Sequence, residues 1–167
     1  IIGAVYISEL ASAKEREILK AFIEILAGIP SVVLGFFGLI VVAPMIKEIY
    51  GLNTGLNALT GAVLLAFMAI PTIMSISEDA IKSVPSVYKE ASLALGASRI
   101  ETIWKVIVPA ALSGIVASVM LGMGRVVGET MTVMMVTGNA PVISMNPFTS
   151  VRTMTATIAA EMGEVTI

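Results

Sequence analysis

Two long stretches of this chain, Ile25 to Ile46 and Tyr50 to Ser77, carry no charged residue, and a third, Val106 to Val136, carries only Arg125 and Glu129. About 20 mostly apolar residues make a helix long enough to cross the hydrocarbon core of a bilayer. With no water there to satisfy backbone groups, such stretches must close their hydrogen bonds internally, as helices. An all-α, polytopic membrane helix bundle is therefore expected, with spans at about 25–46, 57–76 and 106–136. The composition agrees: 57% hydrophobic and 13% charged residues, with a mean hydropathy of +0.97, exceed what a soluble domain carries. The opening Ile1-Ile2-Gly3-Ala4-Val5-Tyr6 is apolar but too short to span, and it lacks the basic start of a signal peptide. It is read as the tail of a further helix, and the chain as a fragment of a longer polypeptide.

The absence of Cys and His excludes disulfides, thiolate nucleophiles, imidazole bases and the usual zinc or haem ligands. No metal and no cofactor are expected. A net charge of -2 gives a nucleic-acid partner nothing to bind, so none is expected either. Basic residues instead mark orientation. Lys14, Arg16 and Lys20 precede the first run and Lys82, Lys89, Arg99 and Lys105 separate the second from the third, so seven of the ten lie in two loops an even number of spans apart. Excess Lys and Arg flank spans on the cytoplasmic side, which places both loops inside and puts Lys47 to Leu59 and the region after Thr137 outside.

Local signals shape the inner loops. Ser12-Ala13-Lys14-Glu15 and Ser98-Arg99-Ile100-Glu101 fit the capping box, in which two side chains satisfy the free donors of a helix start. Ser77 is read as the cap of a short helix carrying Glu78 and Lys82 one turn apart, broken by Pro85. A second short helix from about Ser86 should stop at Gly96. Inside the spans, Pro30, Pro44, Pro71 and Pro109 predict kinks or helix ends, and Gly114, Ser118 and Gly122 make a small-residue stripe for close helix approach. Beyond the third run, Ser150 to Met162 has a cap at Ser150 and apolar Met154, Ile158 and Met162 at spacing four, expected as a short outer helix with Arg152 near the outer surface.

Two constellations carry the chemistry. In the inner loop, Glu90 offers an acceptor, Ala91, Ser92 and Ala94 a small-residue surface, and Gly96 a sharp return turn, so the expected product is a protruding knob; the alternative is a solvated connector. In the third run, Arg125 and Glu129 are four apart and would share a helix face. Arg125 lies 16 residues beyond Pro109, roughly 24 Å along a helix axis, toward the outer side. A central Arg costs about 2.5–3.5 kcal/mol to insert, so such a residue usually faces a cavity or a partner. Arg125 would present its fork of donors to an oxyanion, Glu129 would keep binding weak enough for release, and Thr130 and Thr132 would add hydroxyls. The alternative is an ion pair that only fixes helix rotation.

The inner loop, Glu90-Ala91-Ser92 with Gly96 six residues after the Glu and Val106-Ile107-Val108-Pro109 beyond, resembles the motif by which ABC importer permeases grip their ATPase subunits. Val108 and Ser92 stand where Leu and a second Ala are commoner. The run Gly124-Arg125-Val126-Val127-Gly128-Glu129-Thr130-Met131 resembles the signature of phosphate-specific ABC permeases of the PstC type. Ile29-Pro30-Ser31-Val32-Val33 through Leu39, and Thr153 through Met162, are similar to the same family. The resemblance implies a truncated type I ABC importer permease: residues 77–105 as cytoplasmic coupling loop, 138–167 as outer segment, and, of six spans, the first, most of the second and the sixth missing. It implies Glu90, Ala91, Ser92 and Gly96 as ATPase-coupling residues and Arg125, Glu129 and Thr130 as the phosphate path. It further implies a multi-pass protein of the inner cell membrane whose partners are a separate ATP-binding subunit, a second permease of the PstA type, an extracytoplasmic phosphate-binding protein and membrane lipid. The chain itself has no Gly-x-x-x-x-Gly-Lys-Ser/Thr phosphate-cradling run, so it is expected to be a transport subunit and not an enzyme. From the residues alone, sulfate or molybdate remain open as substrates, as do a secondary anion transporter or channel. An intramembrane enzyme fits worst, since Glu129 is the only carboxylate within the three apolar runs.

Overall fold

A computed structural model describes residues 1–162, and the last part of the expected outer segment, 163–167, lies outside them. The described residues are helical with no strand; one isolated bridge joins Gly138 and Val151. In chain order the helices are α1 (Ile2–Val5), running on as a π turn (Tyr6–Leu10), α2 (Ala13–Gly28), α3 (Ser31–Phe37), joined by a π turn (Gly38–Val42) to α4 (Ala43–Tyr50), and α5 (Ala58–Lys82). Then come α6 (Ser86–Ala94), α7 (Arg99–Thr102), joined by a π turn (Ile103–Ile107) to α8 (Val108–Ala110), α9 (Leu112–Gly128), α10 (Met131–Val136) and α11 (Met154–Met162). The chain divides into two compact units, Ile1–Gly28 with Ala69–Met123, and Ile29–Met68 with the chain from Gly124 on.

Ser31–Tyr50 and Ala58–Lys82 are long and apolar enough to cross a membrane, and Arg99–Ala110 with Leu112–Gly128 make a third only if the pair, bent by 66°, is one span. The limits differ from those expected, for reasons that prolines explain. The first apolar helix begins at Ser31, not Ile25, because Pro30 stands as N-cap with ψ 138°, outside helical space, and Ile25–Gly28 finish α2 instead. Ser77 starts no helix. It lies inside α5, fully buried, and its hydroxyl meets that of Ser118 at 2.7 Å. Pro44 and Pro109 each stand one residue beyond the N–H that closes a π turn: Ala43 donates to Gly38 O and Val108 to Ile103 O. Proline has no N–H and its ring collides with the carbonyl four residues back, so the preceding turn widens rather than breaks. After Pro109 the chain leaves helical geometry at Ala111 (φ -85°, ψ 0°) and bends.

In the first unit the core is Ala4, Val5, Ile81, Ile103, Ile107, Ala111 and Ile115. The small-residue stripe packs there as expected: a Cβ on Gly114 would fall 2.5 Å from Ala80 Cβ, and one on Gly122 would collide with Ile73. In the second unit α10 lies on α3 and its π turn. Gly35 faces Met135 and Thr132, and a Cβ on Gly38 would collide with Leu64 and meet Val136 at 3.0 Å.

Candidate functional site

Within the first unit, α6 and the turn after it form the knob. Pro85, extended at ψ 135°, opens α6, and a Schellman motif closes it: Ala97 N–H donates to Ser92 O (3.2 Å) and Gly96 N–H to Leu93 O (3.0 Å), with Gly96 at φ +85°. A side chain at that φ is strained, which is why the turn needs glycine. Two residues later Ser98 and Glu101 form a complete capping box on α7. Glu90, Ala91 and Gly96 are exposed, together with Val87, Tyr88 and Leu95. Ser92 departs from expectation: it is half-buried and shares a 2.9 Å hydrogen bond with Thr102, so it ties α6 to α7 rather than facing outward.

What holds the knob was not apparent in the sequence. Lys89 Nζ pairs with Glu9 Oε2, and the Arg99 guanidinium donates to Glu9 O, both partners being 80 or more residues away. A second cluster lies at the end of α5. The Glu78 side chain, 3% exposed, is flanked by Lys82 one turn on and by Lys20 of α2 at 3.2 Å, and Lys20 also reaches Asp79 at 3.3 Å. Those contacts, Glu78 first and Asp79 next, raise the Lys20 pKa above its ordinary value. Arg16 Nε donates to Ile7 O at 2.9 Å, joining α2 to the opening helix. The i, i+4 pairing of Glu78 with Lys82 was legible; Lys20, 58 residues away, was not.

Within the second unit, the shared helix face expected of Arg125 and Glu129 does not form. α9 ends at Gly128, leaving Arg125 half-buried in its last turn and Glu129 outside the helix. Glu129 Oε1 instead accepts the Thr132 N–H at 3.2 Å, at the start of α10, and Thr155 Oγ1 donates to the Glu129 carbonyl at 3.0 Å. Thr130 is the N-cap of α10, with its hydroxyl toward Gly128 O at 3.3 Å. Thr132 is buried and its hydroxyl is committed to Ser31 O at 2.9 Å. Arg152 is exposed and its Nε donates to Asn139 O at 3.2 Å. Arg125, Glu129 and Thr130 thus sit on one break between two helices, where backbone and side-chain polar groups concentrate in otherwise apolar sequence.

Residues 1–161 match the family described as binding-protein-dependent transport system inner membrane component. The chain belongs to that family. It is 45% identical over 166 residues to the probable ABC transporter permease protein YqgH of Bacillus subtilis, covering 99% of this chain and 54% of the relative. It is 38% identical to the phosphate transport system permease protein PstC of Mesorhizobium japonicum (96% of this chain, 55% of the relative) and 33% identical to that of Pasteurella multocida (96% and 56%). This permease chain therefore spans about half the length of the curated relatives it matches. Its helices and its family agree on a multi-pass membrane protein of type I permease architecture, here a fragment.

Proposed function

We propose that the full-length protein is the membrane subunit of an ATP-driven importer of inorganic phosphate in the inner membrane. The observation that carries the reading is the knob: a short helix opened by Pro85 and closed by the turn at Gly96, clamped by Lys89 and Arg99 on Glu9, and presenting exposed Val87, Glu90, Ala91 and Leu95. Clamping matters physically, because a partner can transmit force only through an element that does not yield at its base. Glu90, Ala91 and Gly96 form the surface and the turn that seat in a separate ATP-binding subunit, and Ser92 holds α6 on α7.

The anion path runs past Arg125, Glu129 and Thr130. Arg125 supplies charge-assisted donors, and the helix break beside it supplies the polar groups that replace lost hydration. The names of the relatives, phosphate transport system permeases, support phosphate as the anion. A second permease subunit of the PstA type would complete the path, an extracytoplasmic phosphate-binding protein would deliver the anion, and closure of the ATPase pair would move the knobs together.

The test is uptake of labelled phosphate and of sulfate by the reconstituted full-length complex, with and without ATP, for wild type and Arg125→Gln. ATP-dependent phosphate uptake, lost in an intact Arg125→Gln complex, is the expected result. Sulfate uptake overturns the substrate, ATP-independent flux overturns the class, and undiminished phosphate uptake returns Arg125 to a structural role.

A further inference from the structure

The segment from Gly138 to Val151 contains no charged residue, yet at its tip Ile143 is 104% and Met145 102% exposed, with Val142 also exposed. Single exposed apolar side chains need no explanation; three within four residues on an uncharged loop do. The loop is not loosely held. Ala58 and Leu59, the first donors of α5, give their N–H groups to Thr149 O (3.1 Å) and Pro147 O (2.8 Å), and Ser150 Oγ donates to Leu56 O at 2.6 Å. Its own backbone is largely satisfied from within. Val142 N–H donates to Ala140 O, Asn146 N–H to Ser144 Oγ, Phe148 N–H to Asn146 Oδ1 and Thr149 N–H to Asn146 O, while Pro141 and Pro147 have no N–H to satisfy.

Its level is set by an aromatic contact. Phe148 packs on Tyr50, the last residue of the apolar stretch Ser31–Tyr50, with ring centroids 4.9 Å apart. Aromatic rings collect at the boundary between headgroups and acyl chains, and Ile49 and Tyr50 there are exposed on the same helix end. The apolar tip is thus anchored beside the end of a span. Arg152, exposed and hydrogen-bonded to Asn139 O at the loop base, comes immediately after, placed where a cation meets lipid phosphate.

We propose that the tip of this loop, Val142, Ile143 and Met145, is a membrane anchor seated in the headgroup and upper acyl region of the bilayer beside Tyr50. Lipid-exposed irregular backbone is excluded from the hydrocarbon centre, so the seat is shallow. Apolar side chains fixed there hold the loop, and through Thr149 and Pro147 the start of α5, at a constant depth. The inference rests on Ser31–Tyr50 being a span.

The test places a single environment-sensitive fluorophore on cysteine at Ile143→Cys or Met145→Cys in the full-length protein, assembled with its complex in vesicles. Nitroxide-bearing lipids and aqueous iodide serve as opposed quenchers, and a label at Ile40→Cys, exposed midway along Ser31–Tyr50, reports the span itself. Expected are loss of emission at 143 and 145 with headgroup and shallow acyl nitroxides and protection from iodide, with Ile40 quenched by the deep nitroxide. Ready iodide quenching without nitroxide quenching overturns the anchor, and so does protection from both, which identifies a protein partner as the occupant. If Ile40 also escapes lipid nitroxides, the span reading itself fails; if only 143 and 145 escape, the anchor alone fails.

Discussion

Removing the two lysines around Glu78 is expected to destabilise the permease more than removing Glu78 itself. The Glu78 side chain is 3% exposed, whereas those of Lys20 and Lys82 are 35% and 36% exposed. When Glu78→Gln removes the negative charge, both lysines can swing their ammonium groups into water along flexible stems, and the amide still accepts a hydrogen bond. The loss is then that of a hydrogen bond to a charged group, about 1.5–3 kcal/mol, and toward the low end because the lysines are not trapped. When Lys20→Met and Lys82→Met are combined, the carboxylate stays buried with no cation beside it, and stranding one member of a buried pair costs about 3–5 kcal/mol. Adding Glu78→Gln to the double variant removes the stranded charge and should recover part of that loss. At roughly 2–4 °C per kcal/mol for a domain of this size, the steps are separable in thermal unfolding of the solubilised full-length protein. Equal losses, or a triple variant less stable than the double, would refute the claim that burial of the carboxylate decides the energetics.

The same geometry gives three further outcomes. Gly55→Ala is expected to cost at least about 1–3 kcal/mol, because its Cβ would collide with the backbone oxygen of Ala43, which cannot rotate away; Gly28→Ala, with nothing within 4 Å, should change stability by less than about 1 kcal/mol, and thermal unfolding ranks the two. A double-mutant cycle of Ser77→Ala and Ser118→Ala should show coupling of about 0.6 kcal/mol and at most about 1.7, the range found for hydrogen bonds between membrane helices; no coupling would mean the 2.7 Å contact contributes nothing. The backbone N–H and hydroxyl of Ser12 hold the Glu15 carboxyl below its ordinary value, so its share of stability is present above the unfolded pKa and lost as pH falls through the folded one. Protection from hydrogen exchange at the start of α2, taken relative to the intrinsic rate at each pH, should therefore fall below about pH 4.3 in wild type and depend less on pH in Ser12→Ala.

What the sequence made legible is what local physics decides. The caps at Ser12 and Ser98 and the turn at Gly96 involve groups no more than five residues apart, and each forms as its residue types demand. The long apolar stretches specify the fold class because a bilayer constrains composition over about 20 residues at a time. Their boundaries were not legible by charge alone, because hydropathy is blind to geometry. Ile25–Gly28 is as uncharged as the helix after it, but Pro30 assigns it to α2, and Ser77 fits a cap until its place inside an unbroken 25-residue helix is known. Glu9 and Lys20 could not be assigned partners from sequence, since Lys89 and Glu78 meet them only after the first unit has folded.

Arg125 and Glu129 are the most instructive departure, because the correcting signal was present in the residues on either side of Glu129. Spacing four implies a shared face only on a continuous helix, and Gly128-Glu129-Thr130 contains both a residue that ends helices and a threonine that starts them. Once the helix ends at Gly128, the Glu129 carboxylate is free to turn forward and accept the Thr132 N–H, while the Thr132 hydroxyl reaches Ser31 of α3. Glu129 is then tied through its side chain to α10 and through its carbonyl to Thr155 of α11, so two helices of the second unit meet at the residue that follows α9. A carboxylate used in this way positions the break beside Arg125 rather than partnering Arg125 as the next residue on a helix face. The proposed anion path inherits its polarity from that break: an unwound turn exposes backbone groups where an unbroken helix would have hidden them all.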